Sequence, residues 1–125
     1  FIKTMINREL QIKNSKILIM GFTFKENCND LRNTMVSELV LGLSEYKCKI
    51  DVFDPLIDIK ETKRIYGFNF ISKIKSQKYD SIILAVAHDE FKLTGINKIR
   101  KYGKSNAIIY DLKHMFLKDE SDLRL

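Results

Sequence analysis

Two short stretches without polar alternation constrain this chain most: Lys16-Ile17-Leu18-Ile19-Met20 and Ser81-Ile82-Ile83-Leu84-Ala85-Val86-Ala87. A strand with one wet face alternates apolar and polar residues. A strand apolar at every position needs cover on both faces of its sheet. Parallel sheets provide that cover, because each crossover lays a helix on one face. The intervening sequence has the required helices. Met35 to Tyr46 carries Val36, Leu39, Val40 and Leu43 at helical spacing, with Asn33 or Thr34 placed to cap it. Lys49 to Phe53 is the second expected strand, ended by Asp54-Pro55. Ile57 to Tyr66 is expected to be helical, with Gly67 as its stop, and Phe68 to Ile71 a short third strand or edge element. Ser72 to Gln77 fits no pattern clearly. Thr94 to Tyr102 suits a helix stopped by Gly103, and Ala107 to Tyr110 a last strand. The charged tail, Lys118 to Leu125, is expected to be mobile. The sum is an α/β chain: a doubly wound, mostly parallel sheet with helices on both faces.

Such folds bind ligands outside the carboxyl ends of their strands. Those ends are Gly21 onward, Asp54, His88 and Asp111 to Lys113, and all four carry polar or charged residues. The first is unusual. Gly21 to Thr34 spans 14 residues, whereas a plain strand-to-helix connector needs about 2–6. Lys25 and Arg32 lie on this loop beside a helix N-terminus, where cations and backbone amides suit phosphate groups. Phe22 and Phe24 flank Thr23, so in an extended loop one packs inward and the other offers a flat face to a base or sugar. The plainer alternative stays open: both phenylalanines in the core, both cations solvated. His88 is expected as a hydrogen-bonding rim residue rather than a catalyst. Asp54 suits either a ribose hydroxyl or the turn before Pro55. Cys28 is a loop thiol with no base marked for it.

Several function classes lack their signatures. There is no G-x-G-x-x-G, no Walker A loop and no nucleophile elbow, so the chain is not a standard nicotinamide-binding half. Two cysteines without C-x-x-C, and two histidines far apart, give no expectation of a metal site. Free thiols suit a reducing, cytoplasmic setting. The net charge of +6 is distributed among acidic residues along the whole length. That pattern fits a solvated basic surface or a pocket for an anionic small ligand, and no nucleic-acid partner is expected. No membrane association is expected either, since no apolar run approaches the roughly 18 residues of a span. A length of 125 residues suits one domain. Phe1, Ile2, Met5, Ile6 and Leu10 have helical spacing without a cap before them, and the first residue is not methionine. Residues 1–13 are therefore expected to end a longer helix, in a longer natural protein.

The segment Gly21-Phe22-Thr23-Phe24-Lys25-Glu26-Asn27-Cys28-Asn29-Asp30-Leu31-Arg32-Asn33-Thr34 resembles the nucleotide-binding loop of the UDP-glucose/GDP-mannose dehydrogenase family. It is most similar to the branch that oxidises UDP-N-acetylhexosamines for bacterial surface polysaccharides. Asp54-Pro55 and Ala85-Val86-Ala87-His88-Asp89-Glu90-Phe91 resemble family segments in the same order, and the likeness runs from about Phe1 to Leu117. The resemblance implies a Rossmann-like domain, residues 14–125, that binds the UDP part of the substrate, preceded by the end of a central linking helix at residues 1–13. It implies a parent enzyme that oxidises the sugar C6 alcohol to a uronic acid in two NAD-dependent steps, through a thiohemiacetal on a catalytic cysteine. That cysteine and the main NAD site belong to other parts of the family architecture, as does the central helix that makes the parent a homodimer. No catalytic residue is then expected in this chain, which alone would be inactive. By the resemblance, Phe24, Lys25 and Lys113 contact the nucleotide sugar and Arg32 reaches towards NAD. Asn29 stands where a proline is common in the branch, and His114 where the residue is often small. The rival expectation is a non-catalytic doubly wound interaction or regulatory module that uses the same rim.

Overall fold

Ile17, Leu18 and Ile19 are all fully buried, as a strand covered on both faces requires. The computed structural model describes residues 14–23, 25–31 and 35–124. The helical reading of Phe1 to Leu10 and the capping residues Asn33 and Thr34 lie outside them. Among the described residues six strands form one sheet: β1 (Lys16–Met20), β2 (Lys49–Phe53), β3 (Asn69–Phe70), β4 (Tyr79–Leu84), β5 (Gly103–Asp111) and β6 (Leu123–Arg124). Their order is β3-β2-β1-β4-β5-β6 and every pairing is parallel. The helices are α1 (Val36–Ser44), α2 (Ile59–Tyr66), α3 (Asp89–Thr94) and α4 (Ile96–Tyr102). This is the doubly wound, Rossmann-like arrangement, and its topological switch point lies between β1 and β4.

The two-residue strand period divides the core. Ile17 and Ile19 point to the face that packs Val36, Val40 and Leu43 of α1, with Ile59 and Tyr66 of α2. Leu18 and Met20 point to the other, with Phe91 of α3 and Ile96 and Ile99 of α4. Each such aliphatic side chain, fully buried, contributes about 1.5–3 kcal/mol.

Local signals explain the helix ends. Asp58 caps α2, its Oδ1 accepting the Glu61 amide at 3.0 Å, and Gly67 closes it with φ of 75°. Two expectations are corrected. β4 stops at Leu84 rather than Ala87: the Ala85 amide makes the last ladder bond, to Met20 O at 2.9 Å, and the Val86 amide reaches the same oxygen at 3.4 Å because β1 ends there. The stretch expected as one helix from Thr94 is broken at Gly95, where φ 85° and ψ 152° separate α3 from α4. α4 does stop at Gly103, as expected: the Gly103 amide donates to Arg100 O, and the same residue begins β5 in extended geometry. The tail is also built in: a short 3-10 turn, Lys118–Glu120, leads to β6. Asp122 exchanges hydrogen bonds with the backbone of Ile109, its amide donating at 2.9 Å and its Oδ2 accepting at 2.8 Å.

Candidate functional site

The rim at the switch point begins with Gly21. A Cβ at this position would lie 2.6 Å from Val86 Cβ and 2.8 Å from Val86 N, and φ is +102°. Only glycine lets the ends of β1 and β4 approach this closely. The Gly21 amide donates to Phe53 O at 2.8 Å, which ties the same point to β2.

Asp54, at the carboxyl end of β2, then holds the start of the long loop. It is 3% exposed. Its Oδ2 accepts the amides of Phe22 at 2.7 Å and Thr23 at 3.2 Å, and lies 2.8 Å from His88 Nε2. Its Oδ1 accepts the Leu56 amide at 2.8 Å. Burial alone raises the pKa of this carboxyl. The His88 contact and the Phe22 and Leu56 amides outweigh it and hold the group below the usual carboxylate range. Asp54 is thus a turn former, occupied with the protein's own donors.

His88 lies in the β4–α3 connection, at the N-cap of α3, and is 1% exposed. Its Nδ1 accepts the Asn27 amide at 2.9 Å. A backbone amide can only donate, so the ring proton is on Nε2, directed at Asp54 Oδ2 and 3.2 Å from Thr23 Oγ1. The expectation of a hydrogen-bonding rim histidine agrees with this geometry. Thr23 Oγ1 donates to Lys25 O at 3.0 Å, and the Asp89 amide donates to Asn27 Oδ1 at 3.0 Å. At the far end of the loop, Tyr66 of α2 donates its hydroxyl to Leu31 O at 2.6 Å. Phe22 is the inward phenylalanine, edge-on to Tyr66 at 4.9 Å and Phe70 at 5.0 Å. Cys28 Sγ accepts the Asp30 amide at 3.4 Å within the loop.

A second carboxylate organises the end of β5. Asp111 is fully buried. Its Oδ1 accepts the amides of Lys113 at 3.3 Å and Met115 at 3.1 Å, and its Oδ2 that of Phe116 at 3.0 Å. His114 within this turn has φ of 54°, a left-handed conformation that histidine tolerates better than most side chains.

The two loops meet over a cavity of about 110 Å³ lined by Thr23, Lys25, Glu26, Met35, Val36, Ala85, Val86 and Lys113. Lys25 and Lys113, 88 positions apart in sequence (113 − 25), therefore share one wall-to-wall site. Neither makes an ion pair or side-chain hydrogen bond among the described residues. Glu26 leaves the three ionisable side chains with one net positive charge. An apolar recess of about 180 Å³, lined by Met35, Leu39, Ala85 and Leu112, continues past Lys113. Of the expected site residues, the structure brings Lys25 and Lys113 together, while Phe24 and Arg32 lie outside the described residues. Asn27 and Tyr66 also hold the loop, and an asparagine in a polar loop and a tyrosine in a helix carry no local signal for a contact so distant in sequence.

A larger cavity of about 410 Å³ lies at the opposite end of the sheet, lined by Gln77, Arg100, Lys101, Gly103, Lys104 and neighbours. Its cations are largely paired: Lys104 Nζ lies 3.0 Å from Asp80 Oδ1, and Arg100 contacts Asp122 at 3.7 Å and donates to Glu120 O at 2.7 Å. Among the described residues no cluster of His, Cys, Asp and Glu is arranged to hold a metal ion, and no helix is long and apolar enough to cross a membrane.

In sequence and in fold the chain is similar to dehydrogenases of nucleotide sugars. Residues 18–118 match the family model of the UDP-glucose/GDP-mannose dehydrogenase family, UDP binding domain. The UDP-N-acetyl-D-glucosamine 6-dehydrogenases of Salmonella typhi and Pseudomonas aeruginosa are 47% and 46% identical to it, each over 99% of this chain. The chain spans 29% of the length of each. Among solved structures, the NDP-N-acetyl-D-galactosaminuronic acid dehydrogenase of Methanosarcina mazei superposes with a TM-score of 0.79 at 18% identity, over 95% of this chain and 25% of its own. The UDP-D-ManNAc dehydrogenase of Pyrococcus horikoshii does so with 0.74 at 20% identity, over 94% and 26%. At those identities the superpositions establish the fold. The family match and the curated relatives go further: this chain belongs to the UDP-glucose/GDP-mannose dehydrogenase family, and it carries that family's UDP-binding domain.

Proposed function

We propose that residues 14–125 bind the UDP-sugar substrate of an NAD-dependent UDP-sugar 6-dehydrogenase, and that residues 1–13 end the linking helix before it. The full-length enzyme would oxidise the C6 alcohol of a UDP-N-acetylhexosamine to a uronic acid for surface polysaccharide synthesis. The relatives from Salmonella typhi and Pseudomonas aeruginosa support N-acetylglucosamine as the sugar. The observation that carries the reading is the convergence of Lys25 and Lys113 on one cavity at the switch point. Two cations there, neither ion-paired among the described residues and together exceeding the charge of Glu26, suit a diphosphate. At about 110 Å³ the cavity is smaller than the roughly 300–1,000 Å³ of a ligand pocket, so the rest of the enzyme must complete it. Phe24 is assigned with Lys25 and Lys113 to the substrate.

This chain does not fit a resident NAD site. The single glycine of the loop, Gly21, gives its open space to Val86 and not to an approaching phosphate. NAD, the hydride acceptor of the reaction, would therefore be held elsewhere in the enzyme, with Arg32 reaching towards it from this domain. The parent is assigned as a cytoplasmic homodimer assembled through the linking helix. The test is calorimetric titration of the full-length enzyme with UDP. Lys25→Ala and Lys113→Ala should each lose about 1.5–3 kcal/mol of affinity, with melting temperatures unchanged. Unaltered UDP affinity in both variants would refute the assignment.

A further inference from the structure

We propose that His88 and Asn27 are positioning residues for the substrate, forming a clamp that holds the Lys25 turn over the nucleotide cavity. The proposal rests on the reading of that cavity as the UDP-sugar site.

Lys25 is exposed and makes no side-chain bond among the described residues, so its place is set by its backbone. Two clamps fix that backbone. Before it, Thr23 donates to Lys25 O at 3.0 Å. After it, Asn27 is gripped twice by the β4–α3 connection: its amide donates to His88 Nδ1 at 2.9 Å, and its Oδ1 accepts the Asp89 amide at 3.0 Å. Asn27 has φ of 58°, a left-handed conformation that asparagine tolerates better than most side chains. This conformation turns the amide towards the histidine.

The histidine's other contacts do not account for this bond. Asp54 and Thr23 already satisfy Nε2. A histidine kept only to fill the core would be complete with them. The second nitrogen instead reaches across 61 positions of sequence to the residue two beyond Lys25. The ring therefore links a buried carboxylate to the turn that presents a cation. Asp54 fixes the tautomer, the tautomer leaves Nδ1 a lone pair, and that lone pair holds the turn.

The conservative variants separate the two ends of the ring. His88→Gln retains a donor towards Asp54 but no acceptor where Nδ1 lies. His88→Asn places its carbonyl oxygen near the Nδ1 position and gives up Asp54. In the full-length enzyme, His88→Gln should raise the UDP dissociation constant and KM about tenfold with kcat little changed, and should speed hydrogen exchange at the Asn27 amide. His88→Asn should restore UDP affinity to within about threefold of wild type despite a lower melting temperature. Asn27→Gly leaves the buried Asp54–His88 pair intact and keeps the left-handed backbone, yet removes the Oδ1 acceptor. It should weaken UDP binding in the same direction, which keeps the proposal testable if the His88 variants fold poorly. The proposal is overturned if His88→Gln and Asn27→Gly bind UDP as the wild type does, or if the two His88 variants lose affinity in step with their melting temperatures. Lys25→Ala separates the two failures. If it weakens UDP binding while the clamp variants do not, only the clamp is wrong. If it too has no effect, the site reading falls with it.

Discussion

The two ends of the sheet use aspartates differently. At the amino end each carboxylate pairs with a lysine: Asp51 takes Lys78 at 3.1 Å, together with the Tyr79 hydroxyl at 2.7 Å, and Asp80 takes Lys104 at 3.0 Å besides the Lys16 amide at 2.8 Å. At the carboxyl end the buried carboxylates serve the backbone. Asp54 accepts three amides and Asp111 another three. The lysines of that end, Lys25 and Lys113, are left without a counter-ion among the described residues. A cation with its own carboxylate is nearly neutral to an incoming anion, whereas an unpaired one is available to it. Charge counting alone would favour the other end, where the larger basic cavity lies.

The largest effect expected concerns close packing at the two ends. Gly21→Ala combines a left-handed backbone with a contact to main-chain N at 2.8 Å that cannot yield. Strain of about 1–3 kcal/mol and overpacking of about 1–3 kcal/mol should add, giving a loss near the top of that combined range. Gly103→Ala, at the start of β5, meets the Ala107 methyl at 2.5 Å but has ordinary backbone angles. It should cost only about 1–2 kcal/mol. Urea denaturation of both variants measures the difference. Equal losses would mean that the approach of Gly21 to Val86 constrains the chain no more than that of Gly103 to Ala107.

The second effect separates the carboxylates. Asp54→Asn leaves several buried donors facing an amide and should destabilise by about 3–4 kcal/mol. Asp51→Asn, at the more exposed amino end, should lose about 1 kcal/mol after allowing for solvent screening. A reversed order would mean that the carboxyl-end loops are held by packing rather than by Asp54.

Sequence reasoning recovers the frame of this molecule and less of its site. β1 and β2 have the expected limits because their apolar runs are bounded by Ser15, Gly21 and Asp54-Pro55, each a local signal. α2 ends where Gly67 indicates. The errors fall where a distant partner overrides a local pattern. Ala85 to Ala87 is as apolar as β4 itself, yet it leaves the strand because its neighbour β1 ends at Met20, whose carbonyl takes both the Ala85 and Val86 amides. The charged tail looked unstructured, yet Asp122 pairs with Ile109 of β5. The site shows the same limit. Lys25 and Lys113 carry the charge expected of phosphate ligands, but only the fold brings them to one cavity. Asp54 carries an equally plausible ribose-binding signal, but the fold commits it to Phe22, Thr23, Leu56 and His88.

The smallest effect lies in the acid limb of stability, and it tests the same division. Burial raises the Asp54 pKa, but the His88 contact and backbone amides outweigh it, so the folded value lies below the usual one. Asp51 is lowered as well: burial opposes the shift, and the Tyr79, Asn69 and Lys78 contacts overcome it. A carboxyl with a depressed folded pKa takes up protons more readily when the chain unfolds. Its contribution is therefore fully present above the unfolded pKa of about 3.9 and is lost as pH falls through the folded value. The wild type should lose stability below about pH 4. The stability gap between wild type and Asp54→Asn should narrow over that same range, since protonation removes the charge that the substitution removes. The gap for Asp51→Asn should narrow there too, but it should also shrink in high salt, because Lys78 is partly exposed and screened. The Asp54 gap should resist salt, because its main partners are buried amides and a neutral imidazole. Denaturation midpoints from pH 3 to 7 at two salt concentrations measure both. An Asp54 gap that collapses in salt would make its attachment to the loop a surface ion pair in all but name, and the contrast between the two ends would fail.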